Sequence, residues 1–299
     1  MAASRGVSRP KRPLAAVVGG ATTSTTNAAL VEAWQSQGID AAWLEPKALR
    51  LLADGDLVVT RLDVRPTLDG VEPGLLELLP LPHRGVRVVN GPGALLRAHD
   101  KLRTARRLAA AGVPHPETSW LPPTAVRPTL PPPLVIKPRF GSWGADIFRC
   151  DSPADVTAAL EVIASRSWFR RQGAVVQRLV PPRGHDLRLL VAAGTVVGAI
   201  RRRARPGEWR TNYSLGGSLE PVVPPERACT LAIAAAAAIG ADFVGVDLLP
   251  TDGDHFVLEV NGAADFHPNY ALPGTDVYAA VAEALALPRR LENFALRAI

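Results

Sequence analysis

The 299-residue chain has little of several residue types that mark particular classes of protein. Its two cysteines, Cys150 and Cys229, lie far apart and in no metal-ligand or CxxC spacing, which excludes a structural zinc site and predicts two free, partly buried thiols. Aromatic residues are only 5% of the chain, so stacking platforms for single-stranded nucleic acid are scarce. The one extended apolar helical run, residues 229–239, is far shorter than the ~20 residues that cross a bilayer. Zinc-stabilised and membrane-spanning classes are therefore excluded, and nucleic-acid binding is disfavoured.

The overall composition is that of a globular protein that binds an anion. Hydrophobic residues make up 47% and charged residues 21%, enough for a sizeable core. The net charge is +6, and nucleotide phosphates with an acidic substrate fit that charge better than nucleic acid does. Residues 1–12 are basic but are followed by no apolar signal core, so we expect a disordered tail there and a cytoplasmic location.

The first third of the chain alternates between strand and helix patterns. Short apolar runs punctuated by glycine and proline predict strands, and a helical pattern through Gln37 follows the first of them. The predicted strands are residues 14–20, 40–44, 57–60 and 86–90. This alternation predicts a small parallel α/β sheet.

The pattern of predicted helices and strands changes after a helical segment at residues 100–111 and a proline-rich connector at residues 122–133. Helices are predicted at residues 153–164 and 226–239. Strands are predicted at residues 134–137, 145–150, 174–179, 186–192, 195–203, 243–249 and 255–260. This is an α+β layout with antiparallel sheets, distinct from the first lobe.

Lys137 ends an apolar β-branched run and is followed by a glycine-containing loop, residues 141–144. An ammonium group at a strand end beside loop amides suits phosphate oxygens. A surface turn between two hairpin strands would have a similar sequence, and no GxxxxGK[ST] loop is present.

Asp247, Glu259 and Asn261 form a candidate magnesium site. The period of two places Glu259 and Asn261 on one face of a strand, and a turn at residues 252–254 would bring Asp247 beside them. Oxygen ligands suit Mg²⁺, and buried like charges would repel without a cation. Solvated hairpin residues are the alternative, which the apolar neighbours of these positions argue against.

Arginines concentrate on the neighbouring segments. Arg188 lies in an apolar strand next to Asp186, and Arg202 and Arg210 follow. Guanidinium groups near carboxylates and a metal would clamp phosphoryl and carboxylate oxygens. For Arg201 and Arg203, a solvated charge run on an edge strand is the alternative.

The order of the motifs DKLRTARRLAAAGVPHPET, LVIKPRFGSWG, VVQRLV, GHDLRLLVAAGTVVGAIRR, WRTN, GVDLL and VLEVN resembles the ATP-grasp superfamily. The closest resemblance is to the α-L-glutamate ligases related to the enzyme that modifies ribosomal protein S6 and to the LysW ligases. The resemblance implies an ATP-grasp fold in which two α+β lobes hold ATP. It divides the chain into a first domain at residues 13–98, a central lobe at 99–180 and a C-terminal lobe with the metal site at 181–299.

The resemblance also implies roles for individual residues. ATP phosphates would contact Lys101, Lys137 and the loop Gly141, Ser142, Trp143 and Gly144. The adenine hinge would comprise Gln177, Arg178, Leu179 and Val180. Asp186 and Asn212 would line the phosphate and acceptor site, with Arg188, Arg202 and Arg210 as catalytic residues. Asp247, Glu259 and Asn261 would carry Mg²⁺, expected as two ions that Mn²⁺ could replace.

The implied reaction is ATP-dependent, ADP-forming ligation of a carboxylate to an amine through an acyl phosphate. The expected partners are ATP, an amino acid such as L-glutamate, and a small-molecule, peptide or carrier-protein carboxylate, in a chain that could form homo-oligomers. A kinase-like phosphoryl transfer and a nucleotide-binding protein without turnover are the alternatives. The chain departs from relatives at Arg178, where an acidic residue is usual, and at residues 262–266, which belong to the substrate pocket. A positive cluster at residues 201–205 would bind the carboxylates of glutamate.

Overall fold

The computed structural model describes residues 13–20 and 23–288, so the predicted tail at residues 1–12 lies outside the described part. The first sheet contains β1 (Ala15–Val18), β2 (Ala41–Leu44), β3 (Leu57–Thr60) and β4 (Arg87–Val89). The strands are parallel in the order β2-β1-β3-β4, which confirms the predicted small parallel sheet. All residues of β1 and β3 are buried because helices and loops cover both faces, as continuous apolar strands require.

Helical segments connect these strands. Helix α1 (Ser24–Ser36) follows β1, a 3-10 helix (Pro46–Leu51) follows β2, and α2 (Leu75–Leu78) with a second 3-10 turn (Pro82–Arg84) precedes β4. Two further helices, α3 (Pro92–His99) and α4 (Lys101–Ala110), lead out of the sheet. The sequence predicted α4, whose first turn is capped by the Asp100 carboxylate, but it did not predict α3.

The second sheet is antiparallel and has its own core. It contains β5 (Thr118–Leu121), β6 (Leu134–Pro138), β7 (Phe148–Cys150) and β8 (Ala174–Arg178) in the order β5-β8-β6-β7. Helices α5 (Pro153–Ala164) and α6 (Ser167–Gln172) pack against it. The predicted strand at residues 145–150 begins only at Phe148, because Trp143, Gly144 and Asp146 have positive φ and turn the chain.

The third sheet is also antiparallel. It contains β9 (His185–Ala192), β10 (Thr195–Arg203), β11 (Ser218–Pro221), β12 (Phe243–Pro250) and β13 (His255–Asn261), in the order β11-β10-β9-β12-β13. Helix α7 (Glu226–Ile239) buries its alanine face on this sheet. The predicted strands and helix are confirmed here, whereas the short edge strand β11 was not predicted.

The first and third sheets share a hydrophobic core. A single cluster joins Val17 and Trp34 to Leu190 and Phe243, and it includes helix α8 (Val277–Ala284). Trp34 Nε1 donates to the carbonyl of Tyr278 at 3.0 Å, which fixes α1 against α8. The division at residues 13–98, 99–180 and 181–299 stays a prediction, and this shared core indicates that the first and last segments pack as one unit.

None of the helices in residues 13–20 and 23–288 is both long and apolar enough to cross a membrane.

Candidate functional site

A deep pocket of about 1030 Å³, including its mouth, lies between the second and third sheets. Nearly all of the predicted site residues line it, namely Lys101, Lys137, Gly141, Ser142, Trp143, Gly144, Gln177, Arg178, Leu179, Val180, Asp186, Arg202, Arg210, Asn212, Asp247 and Glu259. Arg188 and Asn261 lie beside this lining, next to Asp247 and Glu259 respectively.

Lys137 is a buried cation at the floor of the pocket. Its Nζ donates to Gln177 Oε1 at 2.8 Å across the β6–β8 pair, and Gln177 Nε2 donates to Thr118 Oγ1. Burial, and next the charge of Lys101, lower the pKa of Lys137 to about 8, while Glu259 and Asp247 oppose that shift. An anionic ligand in the pocket would raise the pKa of this lysine again and so stabilise its charged form.

Lys101, at the start of α4, ties the glycine-containing loop to β13. Its Nζ donates to the carbonyl of Gly141 at 2.7 Å and lies 3.0 Å from Glu259 Oε2. Burial works to raise the pKa of Glu259, but the charges of Lys101 and Lys137 overcome it and hold the pKa well below the usual range. Two lysines and one carboxylate therefore leave this part of the pocket positively charged.

The loop at residues 141–144 is held against the segment that follows β10. Arg210 Nη1 donates to the carbonyl of Gly144 at 3.0 Å, and Ser214 Oγ donates to the carbonyl of Trp143 at 3.0 Å. Gly144 has φ +75, and a Cβ there would lie 3.1 Å from Asn212 Oδ1. A side chain at this position would be strained, so the close approach of the two segments depends on glycine.

Two of the three arginines predicted as catalytic, Arg188 and Arg202, form a network of ion pairs with Asp186 and Asp247. Arg188 and Asp247 face each other across β9 and β12, and Arg202 and Asp186 face each other across β10 and β9. Arg188 donates to both oxygens of Asp247 at 2.6 and 2.8 Å, and Arg202 donates to both oxygens of Asp186 at 2.7 and 2.5 Å. Arg202 also donates to Asp247 at 2.8 Å, so the two pairs are joined.

The oxygen donors predicted for magnesium lie together on β12 and β13. Asp247 pairs with Glu259 in the strand register, and Asn261 Nδ2 lies 3.4 Å from Glu259 Oε1. The described residues contain no group of three or more His, Cys, Asp and Glu side chains that could hold a metal on their own. Because Mg²⁺ usually takes only one or two carboxylates together with substrate phosphates, this donor set still fits the ion.

A metal is not needed to offset the repulsion between Asp247 and Glu259. Repulsion between Asp247 and Glu259 is already offset by protein cations, since Asp247 binds Arg188 and Arg202 and Glu259 lies beside Lys101. The assignment of Mg²⁺ to Asp247, Glu259 and Asn261 stays a prediction that rests on donor chemistry.

Arg178, at the predicted adenine hinge, has an acidic partner just before the neighbouring strand β5. Its guanidinium donates twice to Glu117 Oε2, at 2.9 and 2.7 Å. Arg178 lies next to Leu179 and Val180 in the pocket lining. The positive charge at this position is therefore neutralised locally by Glu117.

Glu208 contacts the predicted site residue Arg210 and was not predicted from the sequence. Its carboxylate accepts from Arg210 Nε at 3.0 Å and Nη2 at 2.9 Å, and also from two backbone amides. The hydrogen bond from Arg210 is the largest cause that lowers the pKa of Glu208 to about 2. Glu208 thus fixes the guanidinium that holds Gly144, and its irregular loop offers no periodic pattern from which this could be predicted.

The positive cluster expected at residues 201–205 does not assemble in the pocket. Arg202 alone of Arg201, Arg202 and Arg203 lines it. Arg201 Nη1 lies 3.9 Å from Glu220 Oε2, and Arg203 Nε donates to Glu220 Oε1. The alternation of side chains along β10 places these two arginines on the opposite face from Arg202.

Comparisons with known proteins agree with the ATP-grasp fold that the sequence motifs implied. A model of the RimK-like ATP-grasp domain matches residues 98–285. A probable alpha-L-glutamate ligase of Aeromonas salmonicida (strain A449) is 32% identical over 212 residues, 69% of this chain and 70% of the relative. One of Xanthomonas axonopodis pv. citri (strain 306) is 30% identical over 273 residues, 84% of this chain and 90% of the relative.

The solved structures extend the comparison to the whole fold. The D-alanine–D-alanine ligase of Bacillus anthracis complexed with ATP is similar, with a TM-score of 0.67, 17% identity, and coverage of 93% of this chain and 95% of that one. At this identity the likeness concerns the fold alone, and it confirms the fold that the sequence motifs implied.

Proposed function

Because the chain belongs to the RimK-like ATP-grasp family and is an ATP-dependent, ADP-forming carboxylate–amine ligase, we propose that it joins an amino acid to a carboxylate acceptor. L-Glutamate is the first amino acid to consider, since the relatives are named for it. The observation that carries the proposal is the arrangement of Lys101, Lys137 and the loop at residues 141–144 on one side of the pocket, with Arg202 on the other.

The proposed chemistry has two steps. A carboxylate oxygen of the acceptor attacks the γ-phosphorus of ATP, the bond to the bridging oxygen breaks, and ADP leaves. The amine nitrogen then attacks the acyl carbon, phosphate departs with the C–O bonding pair, and the nitrogen loses a proton to form the amide. Both steps depend on positioning and on neutralising oxygen charge rather than on a covalent enzyme intermediate.

Each set of residues has a role in this scheme. Lys101 and Lys137 bind phosphate oxygens, and the loop at residues 141–144 covers them. Arg202 faces the pocket and stabilises charge on the acyl phosphate and on the tetrahedral oxyanion, and Arg188 holds Asp247 in place for it. We assign Arg210 to positioning, because Glu208 and Gly144 already engage Nε, Nη1 and Nη2 of its guanidinium, whereas Asp186 and Asp247 accept from Nε and Nη2 of Arg202.

Asp247, Glu259 and Asn261 would hold magnesium at the phosphate end of the pocket, as two ions that Mn²⁺ could replace. Bound there, Mg²⁺ would neutralise charge on the triphosphate. The side chains themselves supply the oxygen donors and hold them on two paired strands.

The test is release of ADP by the purified protein with ATP and Mg²⁺, given single amino acids and a heat-treated small-molecule extract as the source of the carboxylate. Release that requires both one amino acid and the extract supports the proposal and identifies the amine. Release that needs the extract but no amino acid would indicate kinase-like phosphoryl transfer. The Lys137→Met variant is the control for contaminating ATPases, because it should release no ADP above background.

A further inference from the structure

A short loop from the first sheet crosses to the second sheet, away from the nucleotide pocket. We call it the strap, and it comprises residues 64–71, which follow β3. A bridge between Val64 and Val71 closes its base, and the amide of Arg65 donates to the carbonyl of Gly70 at 2.9 Å. The strap is therefore folded on itself rather than being a loose connection.

Leu68, at the tip of the strap, packs against two hydrophobic cores. One is the cluster on a face of the first sheet that includes Leu62 and Leu81, and the other is the cluster of the second sheet that includes Ile136 and Phe169. Its φ of +57 lies in the left-handed region, which is costly for a bulky side chain. Such strain persists only where the surroundings hold it, so contacts on both sides fix the strap in this place.

Asp69 joins the strap to the end of α6. Arg171 Nη1 donates to Asp69 Oδ2, and Gln172 Nε2 donates to the carbonyl of Asp69 at 2.5 Å. The Asp69 side chain is only 4% exposed, although that of Arg171 is 66% exposed. Because one residue of the strap accepts from the last two side chains of the helix, this contact fixes α6 more firmly than an ordinary surface ion pair would.

The start of α6 is joined to the end of the loop at residues 141–144. Trp168 Nε1 donates to Asp146 Oδ2 at 2.8 Å, and Arg166 Nη2 lies 3.2 Å from Asp146 Oδ1. Asp146 has φ +50 and follows this loop by two residues. Helix α6 therefore connects the tip of the strap to the point where the chain leaves the loop.

The base of the strap contacts the same loop directly. Asp63, the residue before the strap, accepts at Oδ1 from the amide of Val64 at 2.7 Å and from Ser142 Oγ at 3.4 Å. The first sheet thus reaches the loop at residues 141–144 by two routes, one from the base of the strap and one from its tip through α6.

We propose that the strap positions the loop at residues 141–144 for ATP, an inference that rests on the phosphate-binding role proposed above for that loop. Asp69 is a positioning residue that acts through Arg171 and α6 on Asp146. A loop that is already held in place loses less conformational entropy when it binds phosphates, so the strap raises the affinity for ATP.

Arg171→Met tests the strap with little risk to folding, because the Arg171 side chain is largely exposed. Arg170→Met is the matched control, since Arg170 is an exposed arginine of the same helix. Hydrogen exchange, followed by mass spectrometry on the free protein, measures the opening of residues 141–146. Calorimetry with Mg²⁺ and a non-hydrolysable ATP analogue measures the affinity.

We expect Arg171→Met to speed exchange at residues 141–146 and to raise the Kd for the ATP analogue roughly three- to tenfold, since a partly exposed charged hydrogen bond contributes about that factor. Arg170→Met should match the wild type in both measurements. Arg171→Lys keeps the positive charge and should recover part of the affinity.

Trp168→Phe tests the second link, because it removes the donor to Asp146 and keeps an aromatic ring. Phe169→Leu is its control, since it removes buried volume from the same helix without removing a hydrogen-bond donor. Trp168→Phe should speed exchange at residues 141–146 and weaken binding of the ATP analogue more than Phe169→Leu does. Combined with Arg171→Met, it should weaken binding no further than the stronger single change, because both substitutions break one connection.

Equal exchange rates and equal Kd values in the wild type and Arg171→Met would overturn the strap. Weaker binding of the ATP analogue with unchanged exchange at residues 141–146 would overturn it too. Faster exchange with unchanged affinity would instead contradict the phosphate-binding role of the loop and leave standing the connection from the strap to the loop.

Discussion

Arg202 Nη2 donates to Asp186 Oδ2 at 2.5 Å and to Asp247 Oδ2 at 2.8 Å, so one buried guanidinium joins two buried carboxylates on different strands. Replacing it leaves two acidic groups short of positive charge in the interior. We expect Arg202→Met to lower the free energy of unfolding by about 3–5 kcal/mol, as for other buried pairs that lose one partner. Denaturant unfolding measures the change.

Arg203→Met is the matched control, because Arg203 is on the same strand and pairs with Glu220 at the surface. Its removal should change the free energy of unfolding by less than about 1 kcal/mol. Similar losses of unfolding free energy in Arg202→Met and Arg203→Met would show that the buried network stabilises the protein no more than an ordinary surface ion pair does.

Lys137 makes nucleotide binding depend on pH. With its pKa lowered to about 8, the folded protein without ligand binds fewer protons than the unfolded chain between about pH 8 and 10.5. Stability of the free protein should therefore rise with pH across that window, because the cost of burying the charge disappears. Phosphates raise the pKa of Lys137 again, so ATP binding takes up a proton there and its affinity should fall as pH rises above about 8.

Titration of ATP by calorimetry from pH 7 to 9.5 tests the effect of Lys137. In Lys137→Met the affinity should be weak at every pH and its pH dependence should be lost. Lys47→Met is the control, since Lys47 is exposed and pairs with Glu45 at the surface. A wild-type affinity that does not change over this range would contradict the shifted pKa.

The part of the site on β12 and β13 could be predicted because it follows from strand geometry. A turn at residues 252–254 between two apolar runs fixes an antiparallel pair, and the period of two then places Asp247 opposite Glu259, a pairing that the structure confirms. The apolar runs of β1 and β3 likewise predicted the first sheet.

There is a physical reason why the rest of the site could not be predicted from the sequence. Glu208 acts from an irregular loop, and its partner Arg210 is fixed by contacts rather than by a repeat. The short helix α3 also escaped prediction, because only about two turns of it follow Pro92.

Glu208 should control how well the loop at residues 141–144 closes on ATP. Glu208→Gln weakens the two contacts to Arg210 and so loosens the donor that holds Gly144. Loss of a charged hydrogen bond at a positioning residue predicts a rise in KM for ATP of roughly tenfold, with a smaller fall in kcat. The KM for the amino acid should stay within a factor of about two of the wild-type value.

The control for Glu208→Gln is Glu226→Gln, an exposed acid in the first turn of α7. Glu208→Asp keeps the charge and should recover part of the ATP affinity. If Glu208→Gln and Glu226→Gln have equal KM values for ATP, Glu208 does not position the loop.

Substitutions of Glu259 test whether side chains on β12 and β13 bind magnesium. Glu259→Ala removes an oxygen donor, and it also leaves Lys101 without the carboxylate 3.0 Å from its Nζ. Loss of the donor should abolish turnover, but loss of the ion pair alone could lower activity as well. Glu259→Gln separates the two effects, because it keeps an oxygen of similar position while removing the charge.

For a metal ligand, Glu259→Gln should keep some ATP binding but need roughly tenfold or more Mg²⁺ for half-maximal ADP release, since a neutral amide is a weaker ligand for this ion than a carboxylate. Glu117→Gln is the matched control, because it breaks an ion pair with Arg178 at the hinge without touching the proposed ligands. Direct Mn²⁺ titration followed by electron paramagnetic resonance reports the metal without turnover, and Glu259→Gln should bind fewer or weaker ions than wild type and Glu117→Gln. Unaltered Mn²⁺ binding together with lost turnover would assign Glu259 to holding Lys101 in place and would remove it from the metal site.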